Sequence, residues 1–225
     1  VSFITDNTTI TVTVYVTPIK NIHPFPSQIH SVSYGDNSGF GQTNIPSNIF
    51  SAPKGNGHAA GSVDVLSLGN NGTITLSFDD IYIVDGIGND FTVFENAFGA
   101  KIGEAVSYTE PAKVSVYDSQ NEQWISYPCS LTDYITSGIC AGIQPVFSNR
   151  DMNEIPYQNN DFSGGDPFDL GEIQVHFTDQ IQIQDIGINR LPYGNNNAGF
   201  DLDSLAAINY IPKHITDIEI IFRKI

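Results

Sequence analysis

Apolar and polar residues alternate in short stretches along this chain, and turns rich in Gly, Asn, Asp and Pro separate them. Thr8–Val16 (TTITVTVYV) and Thr73–Phe78 (TITLSF) keep the period of two that a half-buried strand requires. Shorter apolar runs at 63–68, 112–117, 124–127, 173–178, 181–189, 200–209 and 217–222 predict further strands. Asn70-Asn71-Gly72 has the chemistry of a hairpin turn, and residues 118–122 read as a turn joining two strands. Residues 163–166 are a further turn, and 18–26 a connector containing Pro and His. Residues 35–61, 130–157 and 193–199 hold no sustained period and read as loops. No stretch keeps a helical period over three turns. The pattern predicts an all-β chain, an antiparallel β-sandwich of the jelly-roll kind. A sandwich domain is expected over 31–212, with an N-terminal strand and connector in 1–30 and a C-terminal strand in 213–225.

The segment 81–98, IYIVDGIGNDFTVFENAF, breaks its apolar pattern in an informative way. Two β-rich runs flank Asp85-Gly86 and Gly88-Asn89-Asp90, which predicts a strand, a tight turn and a partner strand. Alternation then puts Glu95 on the face of Phe91 and Val93, and Asn96 on the face of Phe94. One of these polar groups therefore points into the core or lies at its edge. A buried carboxylate needs a cation or several donors, so Glu95 and Asn96 are either structural hydrogen-bonders or ligands of a hard metal ion.

Charge narrows the partners. With 25 acidic residues against 9 basic, the net charge is −16, which argues against nucleic acid and anionic membranes and favours cations or neutral ligands. No apolar run reaches the roughly 18 residues of a membrane span. The first residue is Val1 rather than Met, as a mature or trimmed form would have. Cys129 and Cys140 are spaced to close a local loop. In a secreted protein they would pair; in a cytosolic one they would be two thiols.

Enzyme signatures are mostly missing. There is no GxSxG elbow, phosphate-binding loop, dinucleotide fingerprint or HExxH pair, and the five histidines never take zinc spacing. Oxygen ligands are more prominent. Calcium takes six to eight oxygens from carboxylates, amides and backbone carbonyls. The chain offers Asp85, Asn89 and Asp90; Glu95 and Asn96; Asp166 and Asp169; and Asp201 and Asp203. In Phe200-Asp201-Leu202-Asp203, alternation puts both carboxylates on one face, where they repel unless a cation lies between them or both face water.

Several motifs in order resemble a family of bacterial secreted or cell-surface proteins. They are VDVLSLG (63–69), GTITLSF (72–78), VDGIGNDFTVFENAF (84–98), EPAKVSV (110–116), CAGIQPVF (140–147), GGDPFDLGEI (164–173) and GFDLDSLAAIN (199–209). The resemblance spans about residues 32–210. It implies a jelly roll similar to galactose-binding and discoidin-like modules, an extracellular setting, and pairing of Cys129 with Cys140. The chain departs from the family at Ile87, where Pro is common, and in the longer turn at 117–121. Two functions are expected to compete. One is a calcium-binding, non-catalytic secreted or cell-surface module that binds a glycan or a cell-surface protein, with Tyr34, Phe40, His58, Trp124 and Tyr193 as stacking groups. The other is a polysaccharide hydrolase using Glu95 and a nearby Asp as acid and base. The carboxylates and amide Asp85, Asp90, Glu95, Asn96, Asp166, Asp169, Asp201 and Asp203 are the expected calcium ligands.

Overall fold

Strands build nearly all of the regular structure. The computed structural model describes residues 2–5, 8–18, 22–54, 62–96, 110–130, 139–144, 146, 156–187, 199–213 and 215–224, with the backbone alone for 2–18 and 215–224. The strands are β1 (Ser2–Thr5), β2 (Thr8–Pro18), β3 (Gln28–Ser33), β4 (Leu66–Ser67), β5 (Thr73–Ser77), β6 (Ile81–Val84), β7 (Phe91–Glu95) and β8 (Ala112–Asp118). They continue with β9 (Gln123–Ser126), β10 (Asp166–Phe168), β11 (Phe177–Thr178), β12 (Gln180–Asp185), β13 (Asp201–Ala207), β14 (Tyr210–Pro212) and β15 (Ile215–Lys224). Among the described residues, the helical pieces are α1 (Asn160–Ser163) and two 3-10 turns at Gln42–Asn44 and Leu170–Ile173. None of them is long enough to build a layer, so the chain is an all-β sandwich.

Two antiparallel sheets face each other. One has the order β10-β7-β13-β4 and the other β3-β5-β12-β8-β9. Phe91, Val93, Leu66, Leu202 and Leu205 from the first sheet meet Ile74, Leu76, Val114, Val116, Ile181 and Ile183 from the second in one buried cluster. Burial of that apolar surface is the main favourable term holding the layers together. β7 is covered on its other side as well: Phe94 packs with Ala206 and Val146, beneath Phe25 and Tyr157. A small sheet, β11-β6-β14, adds Ile81 and Ile83 to the main cluster. The two ends of the chain pair with each other, in a sheet of order β1-β2-β15.

The expected hairpin at 118–122 forms, with β8 and β9 paired from Ser115↔Ser126 to Asp118↔Gln123. Asp118 closes it by accepting from the N–H groups of Gln120 and Asn121 and from the Asn121 amide. Other expectations need correction. Asn70-Asn71-Gly72 does turn, but it joins β4 in one layer to β5 in the other rather than a paired hairpin. Likewise β6 and β7 lie in different sheets and do not pair. Residues 173–178 are not a strand throughout: a 3-10 turn ends at Ile173, and only Phe177–Thr178 is extended. β3 and β14 were not foreseen, because neither has a strict apolar alternation.

The stretch Phe200–Asp203 also departs from simple alternation. Leu202 pairs with Glu95 and Ser204 with Phe94, so Asp203 is the extra residue of a β-bulge. Asp201 and Asp203 each find their own partner on either side of Leu202. The Ser67 hydroxyl bonds Asp201, and the backbone N–H of Lys54 bonds Asp203 at 3.3 Å.

Cys129 and Cys140 form a disulfide. It fastens the chain after β9 to residue 141, whose backbone exchanges two hydrogen bonds with Ala112 at the start of β8. A loop with a sequence separation of 11 is worth about 3 kcal/mol of unfolded-state entropy. Replacing both cysteines by Ala should lower the urea midpoint accordingly, at an unchanged slope. An unchanged midpoint would show that the crosslink adds nothing.

Candidate metal centre

The loop between β6 and β7 carries Asp85 and Asp90, and the end of β10 leads into Asp169. Asp90 is fully buried and spends both oxygens on donors around it. Its Oδ1 accepts from Gly86 N–H at 2.9 Å and from the Asn209 amide at 2.9 Å, and its Oδ2 accepts from Leu170 N–H at 2.8 Å. These bonds set the loop against both the β10 end and the β13–β14 corner. Gly86 has to be glycine for space: a Cβ there would sit 2.5 Å from the Asn209 side chain.

Asp169 is the N-cap of the 3-10 turn and accepts from Gly171 N–H at 2.8 Å. Its carbonyl takes the Tyr127 hydroxyl at 3.0 Å. Burial raises the Tyr127 phenol above its usual range, and Asp90, Glu172, Asp169 and Asp85 raise it further. It therefore stays a neutral donor. Asp85 is exposed, and its N–H is held by the His176 carbonyl at 2.9 Å.

One carboxylate oxygen from each of Asp85, Asp90 and Asp169 lies within 4.8 Å of the other two, a group that could hold a metal ion. Gly171 lies directly against two of them. A Cβ at that position would meet an Asp169 oxygen at 3.0 Å and an Asp85 oxygen at 3.2 Å. Among the described residues the ion pairs join Lys54 to Asp64 and Lys213 to Asp179, so neither cation neutralises this group. Oxygen-only donors with no His or Cys among them suit a hard ion.

The other expected ligands go elsewhere. Asn96 is a structural hydrogen-bonder: its oxygen accepts from Ser62 N–H at 2.6 Å and its amide donates to the Ser62 carbonyl at 3.0 Å. Asp166 gathers the N–H groups of Gly142, Ile143 and Gln144 at 2.7, 3.2 and 2.8 Å. Burial nonetheless pushes its carboxyl up to about 7. Glu95 is 2% exposed, and its Oε2 has no hydrogen-bond partner among the described residues. Burial pushes its carboxyl well up, and the charges of Glu110, Asp201, Asp166 and Asp203 add to that. Burial is also the main cause that raises Asp201, to about 6, and Asp203, well above its usual range.

Glu110 was missed at the sequence level because it stood at the head of an ordinary strand motif. Burial first, then Asp201 and Asp185, lift it to about 8, against a bond from the Gly199 backbone. Asp185 was missed as well. It is a buried loop clasp that accepts from Asn71, Gly187 and Phe200 N–H groups. Its signal was the Asp-x-Gly spacing at the end of a strand.

The proposed stacking aromatics are not gathered into one place. Tyr34 packs half-buried on the core, whereas Phe40 is exposed. Trp124 stands 42% exposed on the edge strand β9 and tilts against Tyr117 at 5.5 Å. His58 and Tyr193 lie outside the described residues. No protein-family model matches the chain, and neither does any curated protein.

Two outcomes follow from this geometry. Asp90→Asn would turn an amide donor toward one of the backbone N–H groups that the carboxylate now accepts. The loss should be roughly 2–3 kcal/mol even in chelator, and an unchanged urea midpoint there would dismiss the clasp. The second outcome is a pH dependence. Asp166, Asp201 and Glu110 have folded pKa values of about 7, 6 and 8, above the usual value near 4. Their contribution is complete below about pH 4 and is lost as pH rises through about 6 to 8. Metal-free protein should thus show a higher urea midpoint at pH 5 than at pH 8; the reverse order would refute the raised values.

Proposed function

We propose that this chain is a calcium-binding, non-catalytic module of a secreted or cell-surface protein, engaged in adhesion or glycan binding. The observation that carries the reading is the meeting of Asp85, Asp90 and Asp169 within 4.8 Å. Their oxygens come from two loops that Asp90 already fixes in place, so an ion finds them preorganised. Calcium is the ion of choice because the donors are all oxygen and the cluster borders solvent at Asp85, which leaves room for water ligands. The net charge of −16 draws divalent cations to the surface. A disulfide persists in oxidising compartments, which supports the extracellular setting. For a sugar, the Trp124–Tyr117 pair across β9 and β8 is the best stacking surface among the described aromatics.

The hydrolase reading needs a carboxyl that substrate can reach. At 2% exposure Glu95 presents no surface to a polysaccharide, so the non-catalytic reading is favoured.

An ion that binds only the folded state stabilises it by about 4 kcal/mol at a thousandfold excess over Kd. Millimolar calcium should therefore raise the melting temperature of the chelator-stripped protein. Asp85→Asn combined with Asp169→Asn should remove most of that rise and change little in chelator. Melting curves that superpose with and without calcium would overturn the reading.

A further inference from the structure

The five-stranded sheet β3-β5-β12-β8-β9 has two unlike faces. Its inner face is apolar: Ile74, Leu76, Val114, Val116, Ile181 and Ile183 are buried in the main cluster, and Ile29, Val32 and Ile125 pack against it. Side chains alternate across a sheet, so the residues between these form the outer face, and strand register lines them up in rows. Gln184 lies between Thr73 of β5 and Lys113 of β8. Gln182 lies between Thr75 and Ser115, and its row runs on to Ser31 of β3 and Ser126 of β9. Gln180 faces Ser77, which faces Gln28. Tyr117 stands opposite Trp124, where the sheet ends at β9.

Charge and chemistry set this face apart. None of the residues that register places there is acidic, in a chain with 25 acidic residues and a net charge of −16. Lys113 and the aromatic pair aside, the rows are built from Gln, Ser and Thr. A Gln amide offers two donors and an acceptor, and a hydroxyl both donates and accepts. Gln182 Nε2 donates to Thr75 Oγ1 at 3.2 Å, and the Ser115 and Ser126 hydroxyls share a bond of 2.9 Å. Such cross-strand bonds position the groups before a ligand arrives. Gln184 and Ser126 are exposed, as is Trp124, whose ring lies 5.5 Å from that of Tyr117. Stable protein interfaces have an apolar centre, which this face lacks. Four strand spacings of about 4.8 Å make it roughly 19 Å wide.

We infer that this outer face is the glycan-binding surface and that its ligand is a neutral, extended polysaccharide chain lying across the strands. Trp124 and Tyr117 stack on a sugar ring at one end, and Gln182 and Gln184 bond hydroxyls along the chain. Sugar hydroxyls donate and accept as the amides do, and the C–H face of a sugar ring packs on an aromatic one. A polyanionic glycan meets a single cation, Lys113, on a molecule whose overall charge repels it. This surface rests on the glycan-binding part of the proposed function and is independent of calcium: Asp85, Asp90 and Asp169 all lie outside the five strands.

Affinity electrophoresis of the intact, disulfide-bonded chain tests the assignment, in gels cast with hydroxyethyl cellulose, xyloglucan, galactomannan or polygalacturonate, each run in calcium and in chelator. We expect at least one of the three neutral polymers to retard the protein equally in both buffers, and polygalacturonate not to. Trp124→Ala should raise the dissociation constant about tenfold, as loss of an aromatic anchor does. Trp124→Phe should restore most of the binding, and Q182A/Q184A should weaken it at least threefold. Phe162→Ala removes a ring 67% exposed on α1, which Asn160 ties to β7 of the opposite sheet, and should change nothing. Binding to a neutral polymer that W124A and Q182A/Q184A leave intact overturns the assignment of this face while glycan binding itself stands; if chelator abolishes that binding, the sugar sits at the metal centre instead. Retardation by polygalacturonate alone overturns the ligand class. No retardation in any gel overturns this surface and the glycan-binding part of the proposed function together. Should W124A not fold, Q182A/Q184A decides by the same threefold loss.

Discussion

The Asp90 carboxylate is the constraint on which the loop end of the sandwich depends. It is fully buried, yet every bond it makes leads to a different piece of chain: Gly86 before it, Leu170 after β10, and Asn209 between β13 and β14. Backbone bonds reinforce the same junction, since Asp90 N–H reaches the Phe168 carbonyl and the Asp90 carbonyl accepts from Ile208. A buried charge is tolerable only with such a set of donors. Once those donors are arranged, Asp85 and Asp169 are carried to within 4.8 Å of it. The acidic triad is thus a consequence of how one core carboxylate is satisfied.

That dependence explains what could and could not be read from the chain. Strand alternation in Thr73–Phe78 and the turn at 118–122 are local, and both appear where the pattern put them. Which strands pair is not local. Asp85–Asp90 and Asn70–Gly72 have the residues of tight hairpins, but in both places the chain crosses between sheets, because apolar faces on either side seek different layers. The bulge at Asp203 is equally silent in sequence: one extra residue leaves composition untouched and reverses which neighbour a side chain meets. Acidic positions were legible as a set. Their division into Asp85, Asp90 and Asp169 on one side and Asn96 and Asp166 as backbone clasps on the other depends on register.

The carboxylates of this chain also divide by how their charge is met. Asp118, Asp166 and Asp185 accept two or three backbone N–H bonds each, or an amide besides, and each of them shapes a turn or loop. Such oxygens are occupied by the fold. Glu95 Oε2 and Asp201 Oδ1 have no such donor among the described residues. With a net charge of −16 spread over the molecule, every additional ionised carboxylate works against compaction, and unpartnered buried ones do so most strongly.

Position in the sandwich sets the surroundings of Glu95. β7 is buried along its whole length, with Phe91 and Val93 toward the main core and Phe94 toward the outer cluster. Glu95 continues the inward-facing series of Phe91 and Val93 by alternation, at the point where β13 breaks register and where the Gly142 turn presses on Glu110. Burial is the first cause that raises its carboxyl, with the charge of Glu110 next, so at this end of the sandwich a polar group holds a place where elsewhere apolar contact suffices.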